Sequence, residues 1–284
     1  MTQMHTDEML VTMTHRYEKF IERVREQDPN AAAEEFGKFC HWLRRTSLKL
    51  HSRSLAAFAE AWIDLFWQMR RFDMMLKAAE DAQGLFGEDL EWTFARGEAL
   101  FNLGRFEEAR AALEALTTED FDEPMLYFLL ACLAERRGED DDALRLFETA
   151  HRLSSKEFTV PIPLTEEEAI SMYEECLVDL PEPIAWHLKD VPIYVSPLPS
   201  DALIQSGETP LDPLIMGLFM GQPRGAGESS WPEDQPRILL FHKNIAKFAG
   251  DFETLEDELR KTLFHEVGHF LGFSEDQLEE MGLA

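Results

Sequence analysis

Three residues near the end of the chain have types and spacing that chemistry could use: His265, Glu266 and His269, within the run TLFHEVGHFLGFSED from Thr262 to Asp276. Side chains four residues apart on a helix leave the same face, with Cβ atoms roughly 5–6 Å apart. Both imidazoles can therefore reach one zinc ion, while Glu266 lies beside the metal as a general base for water activated there. Two ligands leave zinc undercoordinated. Gly272 suits the positive-φ turn that ends a helix, and the acids Glu275 and Asp276 follow it. Glu275 falls where the longer H-E-x-x-H-x-x-G-x-x-H layout has its third histidine. A carboxylate is an acceptable zinc ligand, so the expected donors are His265, His269 and Glu275, with Asp276 as the alternative to the last.

A helix has to carry this motif, and Leu255, Leu259, Leu263, Val267 and Leu271 give it an apolar stripe, with Thr254 and Asp257 read as its capping signal. The two histidines and Glu266 lie beside that stripe, where a site bordering a cleft belongs. Upstream, Thr165 and Glu168 open a second helix that runs to about Leu180 and is stopped by Pro181 and Pro183. Three β-rich runs follow, Val191 to Ser196, Leu214 to Met220 and Arg237 to Lys243, and are expected to form a small sheet. Between the last two, residues 221–236 are too rich in Gly and Pro for regular structure and form either a lid or a plain surface loop. Tyr173, Tyr194, His187, His242 and Lys243 are the other donor types nearby, and sequence alone places none of them at the metal.

Residues 8–52 read as two helices broken near Asp28 and Pro29. From about residue 55 the chain repeats itself: Gly104, Ala109, Leu113 and Leu116 recur 34 residues later as Gly138, Ala143, Phe147 and Ala150, and Phe72 and Ala79 belong to a blurred earlier copy. This period and its residues resemble the tetratricopeptide family, which implies an α-solenoid offering a surface to a peptide or protein. Small residues at Gly97, Ala109, Ala131 and Ala143 would let paired helices approach. The proline-containing stretch from Ser154 to Thr165 marks a boundary, giving a helical repeat domain over 1–154 and a second domain over 155–284. The fold class expected is multidomain, α plus α/β.

The formal charge is −28, and residues 1–80 carry equal numbers of acids and bases, so the whole excess lies beyond them. Such a surface repels phosphates, which argues against a nucleic-acid partner. No stretch of eighteen consecutive apolar residues suggests a membrane span, and the start lacks a basic and then apolar leader. The three cysteines, Cys40, Cys132 and Cys176, are far apart and form no C-x-x-C, as in a reducing compartment. A cytoplasmic location is the expectation.

Residues from about 160 to the end resemble the short bacterial zincin-like metallopeptidase family. The likeness rests on the helix ending in Leu-Pro, the strand at Val191 to Val195, Met216 to Pro223, the ILLFHKN strand and, most specifically, HEVGHFLGFSEDQL. It implies a compact α/β zincin domain with zinc on His265 and His269, Glu266 as general base, an acid after Gly272 as third ligand, and peptide-like substrates. The repeats lie outside this resemblance. The alternative reading is a tetratricopeptide interaction protein whose zinc site is structural or regulatory.

Overall fold

The structure is a computed structural model that describes residues 53–119, 121–178, 180, 182–224 and 235–283, with scattered residues before 53. The helices expected over 8–52, and most of the loop expected over 221–236, lie outside the described residues. Contacts divide the chain into two compact units, residues 1–121 and 122–284.

In the first unit, α1 (Arg53–Gln68) pairs with α2 (Phe72–Phe86), and α3 (Leu90–Asn102) with α4 (Phe106–Leu116). Gly104 turns α3 into α4 at φ 68°, the left-handed region where a Cβ is penalised. Ala109, Leu113 and Leu116 are buried beneath it. A Cβ on Gly97 would stand 2.5 Å from Leu113 Cδ2, so the glycine is what allows α3 and α4 to approach. Arg70 makes the equivalent turn between α1 and α2 at φ 53°, one repeat before Gly104, without being a glycine.

The second unit opens with α5 (Pro124–Arg136) and α6 (Asp140–Leu153), turned by Gly138 at φ 72°. Ala143, Phe147 and Ala150 are buried at the positions that the 34-residue period assigns them. Then come α7 (Glu166–Val178), α8 (Glu182–Leu188), β1 (Ile193–Ser196), α9 (Asp201–Ile204), β2 (Gly217–Met220), β3 (Arg237–Phe241), α10 (His242–Ala246), α11 (Phe252–Leu271) and α12 (Glu275–Glu280). Thr165 and Glu168 form the expected reciprocal cap of α7. The sheet has the order β1-β3-β2, with β1 parallel and β2 antiparallel to β3.

Two sequence expectations are corrected here. The third β-rich run ends at Phe241 because the chain turns directly into α10, so His242 and Lys243 are helical. The motif helix begins at Phe252, because the Asp251 carboxylate accepts the Thr254 N–H at 2.8 Å and supplies the cap upstream of the expected one. Leu255, Leu259, Leu263 and Val267 of α11 are buried with Ile238 and Leu240 of β3 and Tyr173 and Cys176 of α7 in one apolar core. Cys132 and Cys176 are free and buried. No described helix is long and apolar enough to cross a membrane.

Candidate metal centre

His265 and His269 lie on the last turns of α11, one helical turn apart, with ring planes at 84° and Nε2 atoms 2.9 Å apart. The Glu275 carboxylate comes to 3.2 Å from His269 Nε2 and 3.6 Å from His265 Nε2. These three residues form the one group of three or more His, Cys, Asp or Glu among the described residues whose donor atoms all lie within 4.8 Å of one another. Donors bound tetrahedrally at about 2.0–2.2 Å stand roughly 3.3 Å apart, so the observed spacings fit one zinc ion. Asp276, the alternative third donor, is not in the group.

The turn after α11 explains how Glu275 arrives there. Gly272 ends the helix at φ 92°, and the Phe273 N–H donates back to the Gly268 carbonyl at 3.0 Å. Ser274 and Gln277 then form a capping box that starts α12. Buried Leu278 of α12 packs against Gly268, where a Cβ would stand 2.3 Å from Leu278 Cδ2. The glycine inside H-E-V-G-H is therefore a docking surface for the helix that carries Glu275.

Backbone carbonyls hold the imidazoles through their other nitrogens. His265 Nδ1 is 2.7 Å from the Leu283 carbonyl and His269 Nδ1 is 3.4 Å from that of Phe273. A proton on each Nδ1 would leave the Nε2 lone pairs facing the Glu275 carboxylate, where a metal could be held.

Glu266 is 6% exposed, and its Oε2 accepts the Phe219 N–H of β2 at 2.6 Å. Burial pushes its carboxyl up to about 7, opposed by His265 and the Phe219 N–H and reinforced by Glu275. Gly217 makes room for it, since a Cβ there would stand 2.8 Å from Glu266 Oε1. β2 is an edge strand. The Phe241 N–H donates to the Met216 carbonyl at 2.8 Å, so alternation turns the backbone groups of Gly217 and Phe219 away from β3.

Gly217, the Phe219 N–H and the Leu283 carbonyl are the contributors that the sequence reading missed, because strand and tail backbone leave no spacing signal. Tyr173 is buried in the core and Tyr194 is 53% exposed on β1. Lys243 pairs with Asp140 at 2.6 Å.

Residues 188–283 match the family model of the zincin-like metallopeptidases, and residues 18–177 match that of the bacterial transcriptional activator domain. The second match had not been expected from the repeats. Among solved structures the chain is similar to MamA at 13% identity, over 54% of this chain and 82% of that one, with a TM-score of 0.38. It is similar to MamA from Desulfovibrio magneticus RS-1 at 12% identity, over 57% and 85%, with a TM-score of 0.40. YrrB, described as a TPR protein with an unusual peptide-binding site, matches at 18% identity, over 51% and 70%, with a TM-score of 0.39. No curated protein matches the chain. The helical region resembles a tetratricopeptide solenoid by its paired helices, its 34-residue period and its left-handed turns.

Proposed function

We propose that this chain, which belongs to the bacterial transcriptional activator domain family and whose residues 188–283 match the zincin-like metallopeptidase family model, is a zinc-dependent peptidase. Its helical repeats serve to bind a peptide or protein. The observation that carries the reading is the convergence of His265, His269 and Glu275 on one point beside a buried glutamate. Three protein donors leave a fourth position open among the described residues, as hydrolytic zinc sites require and closed structural sites do not.

Zinc bound there would lower the pKa of water and polarise a scissile carbonyl. Glu266 takes the proton of the attacking water and returns it to the leaving amine. The Phe219 N–H holds Oε2, so Oε1, lying against Gly217, is the oxygen free to receive that proton. The Leu283 and Phe273 carbonyls keep the histidine rings oriented. An extended peptide laid along the outer edge of β2 would find backbone partners at Gly217 and at the Phe219 carbonyl, the Phe219 N–H being held by Glu266.

The test measures zinc content and cleavage of a mixed peptide library on wild type, His265→Ala and Glu266→Gln. Wild type should hold about one zinc per chain, and His265→Ala should lose it. Glu266→Gln should keep the metal while turnover falls roughly a hundredfold to ten-thousandfold. Undiminished cleavage by Glu266→Gln would end the mechanism, and a zinc-free wild type would end the site.

A further inference from the structure

A pocket of about 490 Å³ lies wholly within residues 122–284 and shares no lining residue with the metal centre. Leu144 and Phe147 of α6 form one wall, and Ile162 and Leu164, from the extended stretch before α7, form another. His242, at the start of α10, also lines it. This histidine is 2% exposed, and both its ring nitrogens are buried without a hydrogen-bond partner. Leaving such groups unsatisfied is costly, and native proteins rarely tolerate it without an occupant.

The chemistry of the lining defines that occupant. Burial, reinforced by Lys243 and Lys247, lowers the His242 pKa to about 4, so near neutrality the ring is uncharged and offers one donor and one acceptor. A peptide group supplies one of each in return. Among the described lining residues, Glu135 pairs with Lys247 and Asp140 with Lys243, which leaves Asp141 and Glu168 as the carboxylates in excess. An excess of carboxylates around an apolar interior suits a positively charged neighbour to an apolar group. The volume falls within the range of about 300–1,000 Å³ typical of ligand sites.

We propose that this pocket is a second, non-catalytic peptide site that takes an apolar side chain flanked by lysine or arginine, with the peptide backbone satisfying His242. It stands apart from the peptidase reading, since the two sites share no residue.

The experiment uses full-length protein carrying Glu266→Gln, so that no probe is cut. Two pools of acetylated and amidated tetrapeptides are titrated, Lys-X-X-Lys and Glu-X-X-Glu, with X drawn from Leu, Ile, Val and Phe. The carbon-bound proton signals of the His242 ring are followed by NMR and assigned by their loss in His242→Phe. The lysine pool should shift those signals and bind at least about tenfold more tightly than the glutamate pool. Leu144→Lys, a substitution at a 40% exposed position, should weaken it by a similar factor without unfolding the protein. Failure of both pools to shift His242 at millimolar concentration, equal affinity of the two pools, or indifference to Leu144→Lys overturns the proposal. A small apolar amine that shifts His242 as strongly as the peptides would also overturn it. So would a concentration-dependent dimer that Leu144→Lys dissolves while the peptides have no effect.

Discussion

Glu266 and His242 are buried titratable groups that should move stability with pH in opposite directions. The Glu266 carboxyl is raised from 4.5 to about 7, chiefly by burial, so its charged form costs the fold something that the unfolded chain does not bear. Its stabilising effect is complete below the unfolded value and is lost as pH rises through the folded one. Metal-free wild type should therefore lose stability relative to Glu266→Gln between about pH 4.5 and 7, on the order of 3 kcal/mol in all, read by chemical denaturation in chelator. Parallel curves for the two proteins would show that the burial is not felt. His242, lowered from 6.5 to about 4 by burial and by Lys243 and Lys247, has the other sign. The fold loses stability as pH falls through that window, because the unfolded chain takes up the proton first. Replacing His242 by Phe should flatten this acid limb in the same denaturation series. The histidines and Glu266 were legible in the sequence because helical spacing places side chains without knowledge of the rest of the fold, whereas Glu275 lies past the Gly272 turn and was read from the longer motif layout with Asp276 still open. The Phe219 and Leu283 backbone groups were not, since the contact depends on how a strand and a tail pack against α11.

Among the elements, the docking of α12 on α11 is where packing and the metal site meet. Gly268→Ala would push a methyl into Leu278, at a cost of about 1–3 kcal/mol, and would displace Glu275 with it. Zinc affinity should fall alongside thermal stability, and a second change, Leu278→Ala, should restore part of the affinity. If Gly268→Ala binds zinc like wild type, the glycine has no part in placing Glu275. The turns tell a different story. Arg70 adopts the left-handed conformation that Gly104 and Gly138 take in the later repeats, and a non-glycine residue there bears about 1–2 kcal/mol of steric cost. Arg70→Gly should leave the melting temperature unchanged or raise it, the relief being offset by the greater freedom of glycine when unfolded and by loss of the Arg70 guanidinium over the Phe72 ring; a clear drop would overturn this. The 34-residue period revealed these helix pairs because it depends on local residues. The end of β3 and the start of α11 were misjudged because one rests on a turn into α10 and the other on a cap made by Asp251, which competed with an equally plausible signal at Thr254.

At the scale of the molecule, the division at residue 121 assigns α5 and α6, read from sequence as part of the repeats, to the same compact unit as the metal centre. Three cations hold them there. Lys247, with its side chain fully buried, meets Glu135 of α5 at 2.5 Å. Lys243 meets Asp140 of α6 at 2.6 Å, and Arg136 donates to the Pro199 carbonyl at 3.0 Å. Truncating one partner of a buried pair strands the other, so Lys247→Ala should cost about 3–5 kcal/mol in denaturant titration. We propose 122–284 as the folding unit: a fragment of those residues should unfold cooperatively, whereas one of 155–284, without α5 and α6, should not. Repeat periodicity reports how a helix pairs with its neighbour and not which core it finally joins. The Leu283 carbonyl that orients His265 has a practical consequence as well. Proteolytic nicking between Gly282 and Leu283 would release that carbonyl and free the His265 ring, so a nicked preparation should under-report any metal count.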